Sequence, residues 1–226
     1  PTIGVDAKVS FSYSRKNDVY NNNQIFQRAL ALPPTAKFRF EDGTLAPGQN
    51  RSLGNPAYHL ERRKVYKNDN KLGISFGGYW NILPGLKFEP RASLYVDDAL
   101  LNFFQQSYWD GTTKLVTSRA SQGKYDLRWQ RQFDAVLSYI KSFNEAHNFN
   151  ISTGSSYFNV IYYGFEAVAN NAATDNIPTM NAGKPAKALS SVENQIISGY
   201  FGRISYDYKR RYLMTATIRA DGASDL

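Results

Sequence analysis

Lys71-Leu72-Gly73-Ile74-Ser75-Phe76-Gly77-Gly78-Tyr79-Trp80-Asn81-Ile82, continued by Leu83-Pro84-Gly85 and then Leu86-Lys87-Phe88-Glu89-Pro90-Arg91-Ala92-Ser93-Leu94-Tyr95-Val96, sorts its residues by parity. The even positions are apolar or small, and every charge falls on an odd one. In an extended chain successive side chains point to opposite faces, so the stretch is a β-hairpin with one apolar and one hydrophilic face. A three-residue turn Leu83-Pro84-Gly85 pairs Ile82 with Leu86, Trp80 with Phe88, Phe76 with Ala92 and Ile74 with Leu94. Shifting the register by one residue would place charges opposite the apolar set.

The same alternation recurs along the chain. Ile3, Val5, Ala7, Val9, Phe11 and Tyr13 alternate with polar residues, as do Tyr125, Leu127, Trp129, Phe133, Ala135, Leu137 and Tyr139. A third set is Ile196, Tyr200, Ile204, Tyr206 and Tyr208, resumed after Lys209-Arg210-Arg211 by Tyr212, Met214, Ala216 and Ile218. Between Phe149 and Tyr162 the apolar phase switches, which predicts a bulge near Gly154-Ser155. The pattern predicts seven strands, over 2–14, 71–82, 86–97, 124–142, 148–163, 194–208 and 212–221. Short turns at 83–85, 143–147 and 209–211 alternate with long polar connections at 15–70, 98–123 and 164–193. Strict alternation of short and long connections is the asymmetry of a transmembrane β-barrel, with short periplasmic turns and long extracellular loops. The predicted fold class is therefore all-β, an antiparallel transmembrane barrel. Seven strands cannot close a bacterial barrel of even strand number, and an open edge is costly in lipid. A chain that begins at Pro1 directly in a strand thus predicts an incomplete piece of about seven strands.

Composition is compatible with this reading. No apolar run is long enough for a membrane-spanning helix. Aromatic residues make up 15% of the chain, and Trp80, Tyr139, Phe143, Tyr206, Tyr208 and Tyr212 lie beside short turns, as an interfacial girdle would. The absence of cysteine excludes disulfide scaffolds and cysteine-based metal sites. Net charge is +8, concentrated in the 15–70 connection, whose ten basic residues from Arg15 to Lys67 outnumber five acidic ones. Such a loop could meet lipopolysaccharide phosphates or remain a solvated basic surface. No recognition module accompanies the Arg62-Arg63-Lys64 cluster, which argues against nucleic acid. Within the same connection Ile25, Phe26, Ala29, Leu30 and Leu32 have helical spacing stopped by Pro33-Pro34. This predicts a short helix packed inside the loop. Glu41-Asp42-Gly43-Thr44 reads as a tight turn.

Catalytic motifs are absent. Gly73-Ile74-Ser75-Phe76-Gly77 matches a nucleophile elbow, but that motif needs a strand–turn–helix context and here lies inside an alternating strand. Asp97 and Asp98 point to opposite faces and have no third ligand nearby. No phosphate-binding or dinucleotide fingerprint is present. The expectation is a non-enzyme without cofactor or metal.

The run Tyr200-Phe201-Gly202-Arg203-Ile204-Ser205-Tyr206-Asp207-Tyr208-Lys209-Arg210-Arg211-Tyr212-Leu213-Met214, followed by Arg219-Ala220-Asp221-Gly222-Ala223-Ser224, resembles the barrel signature of SusC/RagA-type TonB-dependent transporters of Bacteroidetes. Pro33-Pro34 with Glu41-Asp42-Gly43-Thr44, and Leu83-Pro84-Gly85-Leu86-Lys87-Phe88, fit the same family. The resemblance implies a large barrel in the cell outer membrane that imports oligosaccharides, or peptides, driven by the TonB complex and capped by a SusD-like surface lipoprotein. Residues 1–226 would belong to the β-barrel domain, with the N-terminal plug and remaining strands outside the chain. Arg203, Asp207, Arg219 and Asp221 would then face the lumen or plug. Phe103, Phe104, Tyr108 and Trp109, in the 98–123 connection, are the candidates for stacking on cargo. The 167–188 stretch lacks aromatic residues and is too polar for a core of its own, so it is expected to be disordered or to dock the lipoprotein. A passive porin and a secreted carbohydrate-binding β-sandwich are the alternatives.

Overall fold

The computed structural model describes residues 2–19, 21–49, 54–112, 114–144 and 146–225. Pro1 and Arg51, both used in the sequence reading, lie outside them. In chain order the elements are β1 (Ile3–Asp18), α1 (Asn22–Ala31), α2 (Pro56–Arg62), β2 (Arg63–Leu83), β3 (Leu86–Gln105), β4 (Tyr108–Asp110), β5 (Lys114–Val116), β6 (Ala120–Phe143), β7 (His147–Asn170), β8 (Lys184–Tyr208) and β9 (Tyr212–Asp225). Seven strands form one antiparallel sheet in the order β1-β2-β3-β6-β7-β8-β9, and β4-β5 is a separate small hairpin. Each sheet strand pairs with its neighbour in the chain, so the sheet is an open meander with β1 and β9 at its edges.

Register carries the parity pattern across the whole sheet. The lateral row Ile3, Trp80, Phe88, Leu137, Thr153, Gly202 and Ile218 lies on one face. The row Asp6, Gly77, Arg91, Asp134, Ser156, Gly199 and Asp221 lies on the other. Among the described residues nothing covers the apolar face: Val5 is 80% exposed and Ile218 76%. A sandwich would bury that face against a second sheet, so the sandwich alternative does not describe this molecule. From each short turn the apolar face continues for about ten residues, interrupted by Lys141 at the turn and by the small hydroxyls of Thr153, Ser155 and Ser198, before Asn70, Asp98, Arg131 and Asn159 enter it. Ten to eleven residues rising ~3.3 Å each, tilted about 45°, span roughly 25 Å, the height of a lipid-facing band.

Three expectations need correction. The first turn is tighter than predicted: Leu83 pairs with Leu86, and the extra residue is absorbed by a bulge between Asn81 and Leu83, leaving Trp80 opposite Phe88. Gly85, at φ +85°, takes the left-handed turn position, where a Cβ would also lie 2.1 Å from the Ile140 carbonyl oxygen. No bulge occurs at Gly154-Ser155, because β7 runs in unbroken register from His147 to Val168 against β6 and β8. Phe158, Val160 and Tyr162 instead sit on the polar face, where Val160 is 2% exposed and the Phe201 ring lies over Gly154. The strands also extend beyond their predicted ends toward the long connections, so that 164–193 is mostly strand, with the connection reduced to 171–183. The three-residue turn at 209–211 is as predicted, with Tyr208 opposite Tyr212.

Candidate functional site

At the long-loop end of the sheet the connections assemble into one cap. In the first connection, Asn55 is fully buried. Its amide donates to the carbonyls of Phe38 (2.9 Å) and Ala46 (2.8 Å), and its Oδ1 accepts from the Ala57 N–H to cap α2. Gly54 allows α2 to close onto this segment, since a Cβ there would stand 2.6 Å from His59 Nε2. His59 is 3% exposed, and burial, with Arg28 and Arg63 adding positive charge, pushes its pKa down to about 3, so the ring is neutral. The Asp42 side chain closes the predicted Glu41–Thr44 turn by accepting from Thr44 N and Oγ1.

Helix α1 forms where its spacing predicted, capped by the Asn21 side chain. It does not, however, pack its apolar side inward. Arg28 is its buried residue, while Phe26 is 66% and Leu30 74% exposed. The basic residues of this connection do not form one external surface either: Arg28 is buried, Arg63 and Lys67 are in β2, and Arg15 and Lys16 are in β1.

The second connection joins the first through the β4–β5 hairpin. The Tyr58 hydroxyl accepts from the Trp109 N–H (2.9 Å), the Tyr108 ring stands edge-on to His59, and the Arg63 guanidinium lies over Tyr108. Trp109 pairs with Leu115, and both side chains are exposed. The third connection is locked to the second by Asp175, which accepts from Ser107 N, Ser107 Oγ and Arg119 Nε. Burial alone would raise the Asp175 pKa, but the hydrogen bonds from Arg119 and Ser107 hold it down at about 2. The segment expected to be disordered or lipoprotein-bound is thus docked onto its neighbouring connection.

Of the four aromatic candidates, Phe103 and Phe104 are 7% and 5% exposed. They extend β3 and pack on opposite faces of the sheet, which leaves Trp109 exposed and Tyr108 half-buried beside it. Arg203, Asp207, Arg219 and Asp221 all share the polar face by register. Arg219 Nε reaches both Asp221 oxygens (2.9 and 2.8 Å), and Asp221 lies across Gly199, where a Cβ would be 2.2 Å from its Oδ1. Asp207 Oδ1 accepts from the Arg210 N–H in the short turn.

Sequence reading missed a recess of about 350 Å³ on the polar face, below the cap. Lys67, Asp69, Lys71, Asp97, Arg128 and Tyr162 line it. Lys67 pairs with Asp69 (3.2 Å) and Lys71 with Asp97 (3.6 Å). The Arg128 guanidinium lies over both Tyr95 (5.8 Å) and Tyr162 (5.5 Å) and donates to Gln130 Oε1. Paired charges of both signs between tyrosines suit a polar group offering hydroxyls, or groups of both charges. These six residues come from four strands; the polar-face placement of Lys71, Asp97 and Arg128 was legible in the sequence, whereas Lys67 and Asp69 fell in a predicted connection, Tyr162 in the apolar phase, and the lateral alignment of the six could not be read. Among the described residues no cluster of three or more metal-ligating side chains occurs. Among the same residues no helix is long and apolar enough to cross a membrane.

No family model matches the chain. TonB-dependent receptor P39 of Formosa agariphila is 27% identical over 233 residues, covering 98% of this chain and 21% of that protein. TonB-dependent receptor P3 of the same organism is 36% identical over 92 residues, 39% of this chain and 9% of that protein. The structure of the RagAB peptide transporter superposes with a TM-score of 0.81 over 99% of this chain and 26% of the other, at 14% identity. The RagAB peptide importer in its open-open state gives 0.80 over 98% and 26%, at 15% identity. The chain spans about a fifth of the length of the curated relative that matches it throughout. It is homologous to TonB-dependent receptors and has the fold of part of a transporter barrel, in agreement with the SusC/RagA resemblance.

Proposed function

We propose, from this homology, that the chain is a segment of wall and external loops in the β-barrel domain of a TonB-dependent importer of the outer membrane. The observation that carries the proposal is the coherence of the two faces. Seven strands in register keep one face apolar over the height of a bilayer core and the other charged and internally paired, as lipid outside and a polar lumen inside require. The plug and TonB box would lie in the part of the protein outside this chain. The homologues are receptors and transporters, which fits a role without catalysis.

Cargo is taken as oligosaccharide, stacking on Tyr108 and Trp109 at the cap and passing the Arg128 recess. Peptide cargo is a second reading, favoured by the mixed charges of that recess. A SusD-like surface lipoprotein would bind over the cap. Its docking surface is reassigned from 167–188 to the exposed Phe26 and Leu30 of α1 with Phe38 and Phe40 nearby in sequence, all large apolar side chains left in solvent. The test is uptake by cells carrying the full-length protein. Import should vanish when TonB is removed and the barrel remains in the outer-membrane fraction; uptake that continues without TonB would establish a passive porin instead.

A further inference from the structure

At the short-turn end of β6–β9 an aromatic belt sits on the apolar face. Phe143, His147, Phe149, Tyr206, Tyr208 and Tyr212 are joined there by ring contacts of 4.8–6.4 Å, and His147 Nδ1 is 2.7 Å from the Tyr206 hydroxyl. Lys141 Nζ lies over Phe143 and Lys209 Nζ over Tyr208, so ammonium groups flank this belt. Arg210 and Arg211 follow in the turn and are exposed. Among the described residues none of these four cations has an ion-pair partner. The acids of the same two turn segments are Asp207, on the polar face with its Oδ1 engaged by the Arg210 N–H, and Glu145, which lies outside the described residues.

The turn backbone makes these charges informative. Left-handed φ values occur among the described residues at Asn21, Asn144 and Asn171, at Gly43, Gly48, Gly85 and Gly111, and at Lys209 (φ 50°) and Arg210 (φ 56°). Elsewhere the chain places asparagine or glycine in this conformation, the residues that adopt it most readily. At 209–210 it places two long cations in succession. The backbone bonds that hold the turn, Lys209 N–H to Ala146 O and Arg211 N–H to Tyr208 O, would form with any side chain except proline. Lys209 and Arg210 thus occupy positions that asparagine or glycine would fill at lower conformational cost, and no partner among the described residues accounts for their charges.

We infer that this rim is a binding site for the phosphate of an anionic phospholipid. The inference rests on the barrel reading above, which sets short turns at the periplasmic leaflet. Acyl chains would run up the apolar face past Ile151, Ile204 and Met214, tyrosines would sit at headgroup level, and Lys141, Lys209, Arg210 and Arg211 would surround the phosphate. Charge complementarity selects an anionic over a zwitterionic headgroup.

The test uses the full-length protein in detergent, titrated with phosphatidylglycerol or phosphatidylethanolamine while thermal unfolding is followed. Phosphatidylglycerol should raise the midpoint well beyond phosphatidylethanolamine, and added salt should shrink the difference. In Lys209→Gly/Arg210→Gly/Arg211→Gln, glycine suits the left-handed turn and keeps the hairpin, so loss of the phosphatidylglycerol response reports charge rather than misfolding. Affinity should fall about fivefold for each charge removed. Lys87→Gln, at a cation paired with Glu89 on the polar face, should leave the response unchanged. Equal midpoints with the two lipids, or a full phosphatidylglycerol response in the triple variant, overturns the inference. So does a triple variant that responds normally to lipid but loses uptake, which assigns the turn to a periplasmic protein. Failure of the barrel reading shows separately, as protein absent from the outer-membrane fraction.

Discussion

Two titratable side chains determine how the cap responds to acid. Asp175 has its pKa held at about 2 against an ordinary 3.8, so its contribution is complete above pH 3.8 and is lost as pH falls through 2. His59 is buried neutral with its pKa near 3 against 6.5, so its contribution is complete above pH 6.5 and is lost as pH falls through 3. Hydrogen exchange of the intact protein should therefore show the cap loosening first between pH 6.5 and 3, then further below 3.8, while strand amides stay protected. His59→Phe should abolish the first phase. Asp175→Asn should expose 171–183 at neutral pH, at a local cost on the order of 1–3 kcal/mol from loss of a charged hydrogen-bond acceptor. A cap equally protected from pH 7 to 3 in wild type would contradict the assignment of His59. On the strands, parity sets tolerance to charge. Ile74→Arg or Phe88→Arg should cost roughly 2–4 kcal/mol in a folding assay in lipid, whereas Ser75→Arg or Ser93→Arg should be mild. Arg131 shows how the apolar face accommodates a cation: it lies at the upper limit of the band with its guanidinium over Trp129.

Among the elements, legibility followed the solvent on each side. Between lipid and a polar lumen, strands alternate strictly, so their existence, order and faces could be read from Lys71–Val96 and its repeats. Above the band both faces meet protein or water and the alternation lapses, which is why predicted strand ends fell 4–10 residues short there. The same loss misled the reading of β7. Apolar residues on both faces, Val160 and Phe158 on one and Tyr157 and Ile161 on the other, imitate a phase switch without a bulge. Helix α1 was legible from spacing, but which side it buries was set by Arg28 beneath the cap, a long-range contact that spacing cannot carry. Its exposed side gives a test: Phe26→Ser/Leu30→Ser should leave the barrel assembled and reduce co-purification of the surface lipoprotein. Unchanged recovery of the lipoprotein would remove α1 from the docking surface. In the β4–β5 hairpin, Trp109→Ala should lower cargo affinity roughly threefold to tenfold with the cap intact, since Trp109 is held through its backbone and its ring is free.

As a whole molecule the chain is one sheet with two open edges and an uncovered apolar face, so it lacks the closed core that water-soluble folding needs. Expressed alone in water it should aggregate; a monomeric, cooperative unfolding transition without detergent would be incompatible with the membrane assignment. The central claim is the division of the sheet into a lipid face and a lumen face, and the absence of cysteine from the chain makes it directly measurable. Single cysteines at 72–76 and 92–96 would be placed in the full-length protein, with any cysteine elsewhere replaced, and labelled in lipid with a membrane-impermeant maleimide. Labelling should alternate with a period of two, strong at 73, 75, 93 and 95 and weak at 72, 74, 76, 92, 94 and 96. Uniform labelling, or strong labelling at the even positions, would contradict the account.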